Sequence, residues 1–581
     1  MNRLSHLLIA MAFLASVANA QWMFQNASDC FTTLPQNAST VAWGDVDNDG
    51  DPDLFVGGGA GSSVLYLNQD GRFVDGSTLY GLATQNTHNV YGAQFVDFNG
   101  DGYLDLFLLV DEPHGFRLYR QLPNHRFQCV PSNVDIAFLD RINSAAWVDT
   151  DGDGTLDLLL SHGPTDSSSP VVVEYHQLEL VVRRDQTFLR GAGAAGAIAV
   201  EDYDRDGDAD IFIGGSSNQA ARMLCFKDGR YTNWATIFGI PPDMGRTGAV
   251  WFDYDNDQQL DLYSPGDSAR NCLMRGRSLG EVHGLQRVPP GQVIPPADKE
   301  VRYVHAVDAD MDGWTDLFMV KAGTAGCALY RNEQARGWTD VTRQVELDPA
   351  FAVTACAWAD FDNDGDMDLA VARGSQGLSL YRNHTVTHHE YVALNLVSNG
   401  TAGALPGCTA WMQFGAAKAV GSTHPHTASL GGDGSSLLLV NSSNYKSGRG
   451  NLLIHWPNGM ECLYPVSAEQ LNTTLTLTQP TAPPVVQPLT EDRPTVPVQL
   501  SVSPNPFNPT TTLSYTLPEA SDVELKVFNL MGQEVATLVS GRQAAGAYRI
   551  FFDARSLPSG LYLSRLTAAG QSHVGRLLLA K

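Results

Sequence analysis

Five aspartates crowd the ten residues from Asp360 to Leu369. Charges of one sign that close together repel, unless a cation sits among them. The spacing is D-x-D-x-D-G-x-x-D, and it recurs. The positions are Asp45, Asp47, Asp49 and Asp53, then Asp97, Asn99, Asp101 and Asp105, then Asp149, Asp151, Asp153 and Asp157. Next come Asp202, Asp204, Asp206 and Asp210, then Asp253, Asp255, Asp257 and Asp261. The last two sets are Asp308, Asp310, Asp312 and Asp316, and Asp360, Asp362, Asp364 and Asp368. Carboxylates at positions 1, 3, 5 and 9 of a tight turn suit a hard cation that takes about six to eight oxygens, with a carbonyl and water completing the shell. The loops hold no His or Cys, which disfavours zinc and copper. Up to seven structural Ca²⁺ ions are therefore expected. An EF-hand is excluded, because its bidentate Glu at position 12 is replaced by Val56, Leu108, Leu160, Ile213, Ser264, Met319 and Val371. Solvated acidic turns are the alternative, and seven copies in register argue against them. The fifth loop is the doubtful one, since Gln258 stands where the turn glycine is expected.

The first aspartates follow one another at intervals of 51 to 55 residues, the mark of a repeat architecture. Two residues before each stands Trp43, Phe95, Trp147, Val200, Trp251, Ala306 or Trp358. Four before stands Val41, Ala93, Ala145, Ile198, Ala249, Val304 or Cys356. Apolar residues two apart describe a strand that ends at the loop. A second strand follows the last aspartate, "VLYLN", "RLYRQ", "ALYRN" and "SLYRN" mark a third, and "GRFVDGS", "HRFQCV" and "GWTDVT" a fourth. Four strands per repeat, seven times over, predict a seven-bladed β-propeller. The early segment "QWMFQNASDCF" reads as a stray fourth strand that completes the seventh blade and closes the ring.

The 581 residues exceed one compact core. Residues 1–20, with Arg3, an apolar run from Leu7 to Val17 and Ala18-Asn19-Ala20, read as a signal peptide. No later stretch is apolar enough to span a bilayer. Against 37 basic residues stand 63 acidic ones, a formal charge of −26 that argues against nucleic acid as a partner. Of the eight cysteines, Cys408 and Cys462 are the favoured pair because both fall in one later domain, although sequence does not choose among pairings. The repeat stops near Glu390. The expected organisation is all-β: the propeller over 21–388, a small β domain over 389–479, a Pro-rich linker over 480–497 and an Ig-like β-sandwich over 498–581.

The acidic loops and their flanking strands, over about residues 40 to 385, resemble the FG-GAP/VCBS repeats of integrin α-chain propellers and bacterial surface proteins. That resemblance implies Ca²⁺ at the matching loop positions, with Asn99 a conservative departure and Gln258 a larger one. Around Trp456-Pro457-Asn458-Gly459 the chain is similar to the ASPIC/UnbV domain that follows such propellers. The phrases "SPNPFNP", "VFNLMGQEV" and "LPSGLYLSRL" resemble the C-terminal sorting domain of type IX secretion substrates, related to the Ig-like domain of a flagellar hook-capping protein. This last likeness implies export to the periplasm and passage across the outer membrane, with the type IX machinery as a partner and the product secreted or attached to the surface.

Signatures of catalysis are weak. Gly191-x-Gly193-x-x-Gly196 fits a dinucleotide fingerprint, but a strand rather than a helix follows it. His389-Glu390 begins like a zinc-protease motif, yet Ala393 occupies the second histidine's place. His384, His388 and His389, like His424 and His426, read as solvated loop residues. The expected function is a secreted or cell-surface calcium-binding propeller that adheres to an extracellular protein or glycan without catalysis. A glycan-active hydrolase or lyase using the propeller's central face is the alternative.

Overall fold

The computed structural model describes most of residues 22–385, the strands between 391 and 478, and most of 500–580. Residues 1–21, 132–141, 152–154, 163–169, 190–195, 290–293, 295–300 and 479–499, with shorter gaps, are not described. The signal peptide, Asp153, Cys408 and hence its pairing, the Pro-rich linker and the first five residues of the dinucleotide-like fingerprint lie outside the described residues.

Alternating apolar residues and tight turns produce nearly pure β structure. The first sheet is Thr40–Gly44, Asp53–Gly57, Val64–Asn68 and Phe73–Asp75, hydrogen-bonded in chain order. Five further four-stranded sheets repeat that order, opening with Val90–Val96, Ile142–Val148, Ile198–Glu201, Val250–Phe252 and Val301–Val307. The seventh takes Ala355–Ala359, Asp368–Ala372 and Leu378–His384 from the end of the repeat region. Its fourth strand is Met23–Asn26, which pairs antiparallel with Leu378–His384 so that Met23 faces His384 and Asn26 faces Tyr381. The early stray strand is thus where the sequence places it.

Each sheet is sandwiched between two others, which is why its first strands are apolar on both faces. Ala42, Phe55 and Leu65 of the first sheet share a core with Phe95, Leu106 and Leu108 of the second. Similar cores join the second to the third, and so on to the seventh. A last core joins the seventh back to the first, where Ala355, Ala357 and Ala359 lie against Val41, Trp43 and Leu54. The alanines are the reason two inner strands can approach past a fully buried tryptophan. The fold of this region is all-β and propeller-like.

The chain divides into two compact units, the larger ending at Thr481 and the smaller holding Ala482–Lys581, apart from short segments. In the larger unit, Tyr391–Ser398 pairs antiparallel with Leu437–Asn441 and parallel with Thr473–Thr478. A second sheet there runs Val420–Thr423, Thr409–Gln413, Arg449–His455 and Glu461–Ser467. In the smaller unit a three-stranded sheet (Leu500–Ser503, Thr510–Leu517, Gly546–Asp553) shares one core with a four-stranded sheet built on Ser521–Phe528 and Gly560–Ala568. Leu513, Tyr515 and Phe552 meet Val523, Leu525 and Leu566 in that core.

The closing strand gives a direct test of the ring. Phe24 is buried and meets the edge of Trp358 with centroids 5.8 Å apart, while its N–H donates to the Val345 carbonyl at 2.9 Å. Phe24→Ala should cost about 3–5 kcal/mol, as large-to-small changes in a close-packed core do. Urea denaturation of the two proteins measures it, and an unchanged midpoint would mean the closing strand carries no stability.

Candidate metal centres

Each acidic loop joins the first strand of a sheet to the second, and the aspartate at position 9 is the first residue of that second strand. Asp53, Asp105, Asp157, Asp210, Asp261, Asp316 and Asp368 are all buried. In five of them one carboxylate oxygen accepts the N–H of loop position 2, as from Val46 at 2.9 Å, Tyr254 at 2.8 Å and Phe361 at 3.1 Å, whereas that oxygen of Asp105 accepts the Asn99 amide and that of Asp210 is buried without a donor. The other accepts an N–H from the third strand, as from Asn68 at 2.8 Å, Phe226 at 3.0 Å and Asn383 at 2.7 Å. This side chain therefore pins three strands to one point.

Position 1 folds the turn. Asp45, Asp97, Asp253, Asp308 and Asp360 each accept the N–H groups of positions 5 and 6 on their two oxygens, at 2.7 to 3.1 Å. The turn needs a left-handed residue at position 6, which Gly50 (φ 99°), Gly313 (φ 85°) and Gly365 (φ 95°) supply. Gln258 adopts φ 67° at the same place and still donates its N–H to Asp253 at 2.7 Å. The fifth loop is therefore formed like the others, at a strain of about 1–2 kcal/mol.

Position 3 is where the carboxylates lack partners. The Oδ1 atoms of Asp47, Asp204, Asp255 and Asp362 are buried without a hydrogen-bond donor. Oxygens of Asp45, Asp47 and Asp53 lie within 4.8 Å of one another, as do those of Asp149, Asp151 and Asp157, and of Asp202, Asp204 and Asp206. The sets Asp253, Asp255 and Asp261, and Asp308, Asp310 and Asp316, do the same. In the second loop Asn99 instead donates its amide to Asp105 at 2.8 Å, removing one negative charge. Position 5 lies at the rim, where Asp101 meets Arg120 at 2.6 Å and Asp257 meets Arg275 at 2.9 Å.

Burial, reinforced by neighbouring carboxylates, raises the pKa of many of these carboxyl groups. Asp45 is pushed up to about 6, Asp253 and Asp360 to about 7, Asp53 to about 8 and Asp105 to about 9. Asp210, Asp261, Asp308, Asp316 and Asp368 are raised as well, by burial first. Arginines of the third strand stand beside positions 3 and 5: Arg382 reaches Asp362 at 2.5 Å and Arg275 bridges Asp255 and Asp257. Such a set of oxygen-only, buried, mutually repelling ligands fits a hard divalent cation.

The sequence reading missed residues on the third strand. Asn68, Gln121, Asn332 and Asn383, fully buried, end the motifs "VLYLN", "RLYRQ", "ALYRN" and "SLYRN". Each donates its side-chain amide to the position-2 carbonyl of the preceding sheet's loop, at 2.7 to 2.9 Å. Their recurrence is the available signal, and from sequence alone it marks no more than a strand.

With this geometry in place, likeness to known proteins acquires meaning. Residues 45–108, 97–160, 183–264 and 308–371 match the FG-GAP-like repeat, and residues 501–580 match the secretion system C-terminal sorting domain. The chain is similar to cartilage acidic protein 1 of Mus musculus, with 24% identity over 494 residues, covering 76% of this chain and 73% of that protein. For the Xenopus tropicalis protein of the same name, identity is 22% and coverage 62% of each. For that of Homo sapiens, identity is 24% with 59% of this chain and 57% of that protein covered, so the chain spans less than two thirds of the latter two. A structure of the Photorhabdus luminescens Tc holotoxin pore is 16% identical, covers 57% of this chain and 17% of that one, and has a TM-score of 0.28, too low to carry an argument. The chain carries FG-GAP-like repeats and a type IX sorting domain, and it is a secreted or outer-membrane surface-attached protein. Among the described residues no helix is long and apolar enough to cross a membrane.

The raised carboxylates set a pH dependence with a definite sign. An aspartate that titrates near 3.8 when unfolded but near 6 to 9 when folded holds its proton more tightly in the folded state. That stability is complete below about pH 4 and is lost progressively as pH rises through about 6 to 9. In a chelator the melting temperature should therefore fall between pH 5 and pH 8. In millimolar calcium, which holds the carboxylates ionised, the fall should vanish. Calorimetry across that range decides it, and identical profiles in the two buffers would count against a cation in the loops.

Proposed function

We propose that this chain is a calcium-loaded, seven-bladed β-propeller that binds an extracellular protein or glycan without catalysing a reaction. The observation that carries the reading is the set of buried, donor-less position-3 oxygens at Asp47, Asp204, Asp255 and Asp362, each beside further carboxylates of its own loop. Positions 1, 3, 5 and 9 of each loop would hold the ion. Bound calcium supplies two positive charges that allow these aspartates to stay ionised while buried. The role is structural: it fixes the hairpin of each blade and so the connections that a ligand would meet. FG-GAP-like repeats favour a surface-displayed binder. On this reading residues 21–388 form the propeller, 389–479 an ASPIC/UnbV-like β domain, and 498–581 an Ig-like domain that addresses the protein to the type IX machinery.

Two outcomes test the proposal. Extracellular calcium modules bind at about 10⁻⁴ to 10⁻³ M. At about ten times Kd each site adds about 1.4 kcal/mol, so six or seven sites approach about 10 kcal/mol, the whole stability of an ordinary domain. Chelation should lower the propeller's melting transition by tens of degrees and leave that of the tail in place. A propeller transition indifferent to EDTA would sink the metal assignment.

Deleting Val498–Lys581 should leave a folded protein that stops in the periplasm of a type IX-competent host. Its appearance in the medium would remove the address function from the tail. A glycan array probed with the calcium-loaded protein then narrows the ligand class.

A further inference from the structure

The buried amides of the third strands do more than close one gap between sheets. The backbone N–H of Asn383 donates to Asp368 of its own loop at 2.7 Å, and its side-chain amide to the Ala309 carbonyl of the sixth loop at 2.8 Å. The N–H of Ala309 in turn donates to Asp316 at 3.2 Å. Asp316 also accepts from the N–H of Asn332 at 2.8 Å, and the Asn332 amide reaches the Tyr254 carbonyl at 2.9 Å. Tyr254 donates to Asp261 of the fifth loop at 2.8 Å.

The series continues in the other direction. Asp368 accepts from Phe361 at 3.1 Å, whose carbonyl takes the Asn68 amide at 2.7 Å, while the Asn68 N–H donates to Asp53 at 2.8 Å. Asp53 accepts from Val46 at 2.9 Å, whose carbonyl takes the Gln121 amide at 2.8 Å, and the Gln121 N–H donates to Asp105 at 2.7 Å. One unbroken series of hydrogen bonds thus runs through Asp261, Asp316, Asp368, Asp53 and Asp105, the position-9 aspartates of loops five, six, seven, one and two. It ends where Gly276 of the fifth sheet and Tyr175 of the third occupy the equivalent place, and Phe226 does so in the fourth; none of the three has a side-chain amide to pass on, although Gly276 and Phe226 still donate a backbone N–H to Asp261 and Asp210.

We propose that this series couples the calcium sites, so that filling one of these five loops raises the affinity of the next, whereas loops three and four bind independently. The inference rests on the calcium reading above. A filled loop fixes its position-2 carbonyl. That carbonyl orients the neighbouring amide, whose own N–H sets the neighbouring position-9 carboxylate, so the second loop has less ordering left to undergo. Asn68, Gln121, Asn332 and Asn383 are positioning residues in this scheme and touch no ion.

Isothermal titration of the full chain with calcium alone tests it. The wild type should show a Hill coefficient above one. Asn383→Leu, which removes the amide from the middle of the series, should bring the coefficient toward one and raise the calcium midpoint at least about fivefold. Phe226→Leu, at the same place outside the series, should change neither. Should Asn383→Leu fail to fold, Gln121→Leu serves instead, since its side-chain amide makes one bond, to Val46. Calcium uptake with the same midpoint and slope in wild type and variant would overturn the coupling alone. No calcium uptake by the wild type would overturn the calcium reading, and the coupling with it.

Discussion

A carboxylate buried at the start of every second strand is the constraint on which the rest of this molecule depends. Removing such a group from water is costly unless donors surround it. Asp53, Asp261, Asp316 and Asp368 each receive one N–H from their own loop and one from the third strand. Two hydrogen bonds do not discharge the repulsion from the aspartates at positions 1 and 3, which lie within a few ångströms. Both facts act together: the donors fix where the carboxylate sits, and the residual charge suits a cation at that place. The hairpin, the turn and the third strand follow from the same side chain.

The ring extends this local logic. Because each sheet buries both faces against neighbours, the position of one loop is tied to the next through packed side chains and, in places, through direct bonds. Asn363 of the seventh loop donates to Asp51 of the first at 2.6 Å, and Asn256 of the fifth to the Gly313 carbonyl of the sixth at 2.8 Å. The N-terminal strand then closes the circle by pairing residues some 360 positions apart in sequence. Order in the loops and closure of the ring are therefore parts of one cooperative structure, in which a change at a loop is felt as a change in stability.

Much of this was legible in the sequence, for a physical reason. The period, the alternation of apolar residues and the aspartate spacing are all local, and repetition multiplies a local signal. The strand Met23–Asn26 was visible because the seventh repeat lacks a fourth strand of its own. What escaped was non-local or conformational. No pattern in one repeat says that the Asn68 amide reaches a carbonyl 293 residues later. Tyr175, Phe226 and Gly276 stand at its place in the third, fourth and fifth sheets, so the amide is not even a fixed member of the repeat. Gln258 looked like a defect because glycine is the default left-handed residue, yet the hydrogen bond to Asp253 holds the backbone there regardless.

The fourth sheet shows how the ring manages without the amide, and it also explains Gly196, the last glycine of the dinucleotide-like fingerprint. A Cβ on Gly196 would stand 2.1 Å from the Gly214 carbonyl oxygen, and one on Gly214 would stand 1.9 Å from that of Gly245. Backbone therefore touches backbone at the end of the sheet opposite the acidic loop. There Ala197 donates to Gly245 at 2.9 Å and Gly215 to Met244 at 2.8 Å. Gly196 serves strand packing, with no phosphate required. The first sheet has comparable backbone ties at that end, Ala38 to Gly374 and Val90 to Gly58, and at its loop end it has the amide ties as well. The junction of the fourth and fifth sheets thus lacks the amide tie at its loop end, and opening it there breaks fewer buried hydrogen bonds than opening the seventh from the first. The junctions of the second sheet with the third and of the third with the fourth lack the amide tie as well, where Tyr175 and Phe226 stand at its place, so the asymmetry of the hydrogen bonds puts the weaker side of the ring along these three junctions.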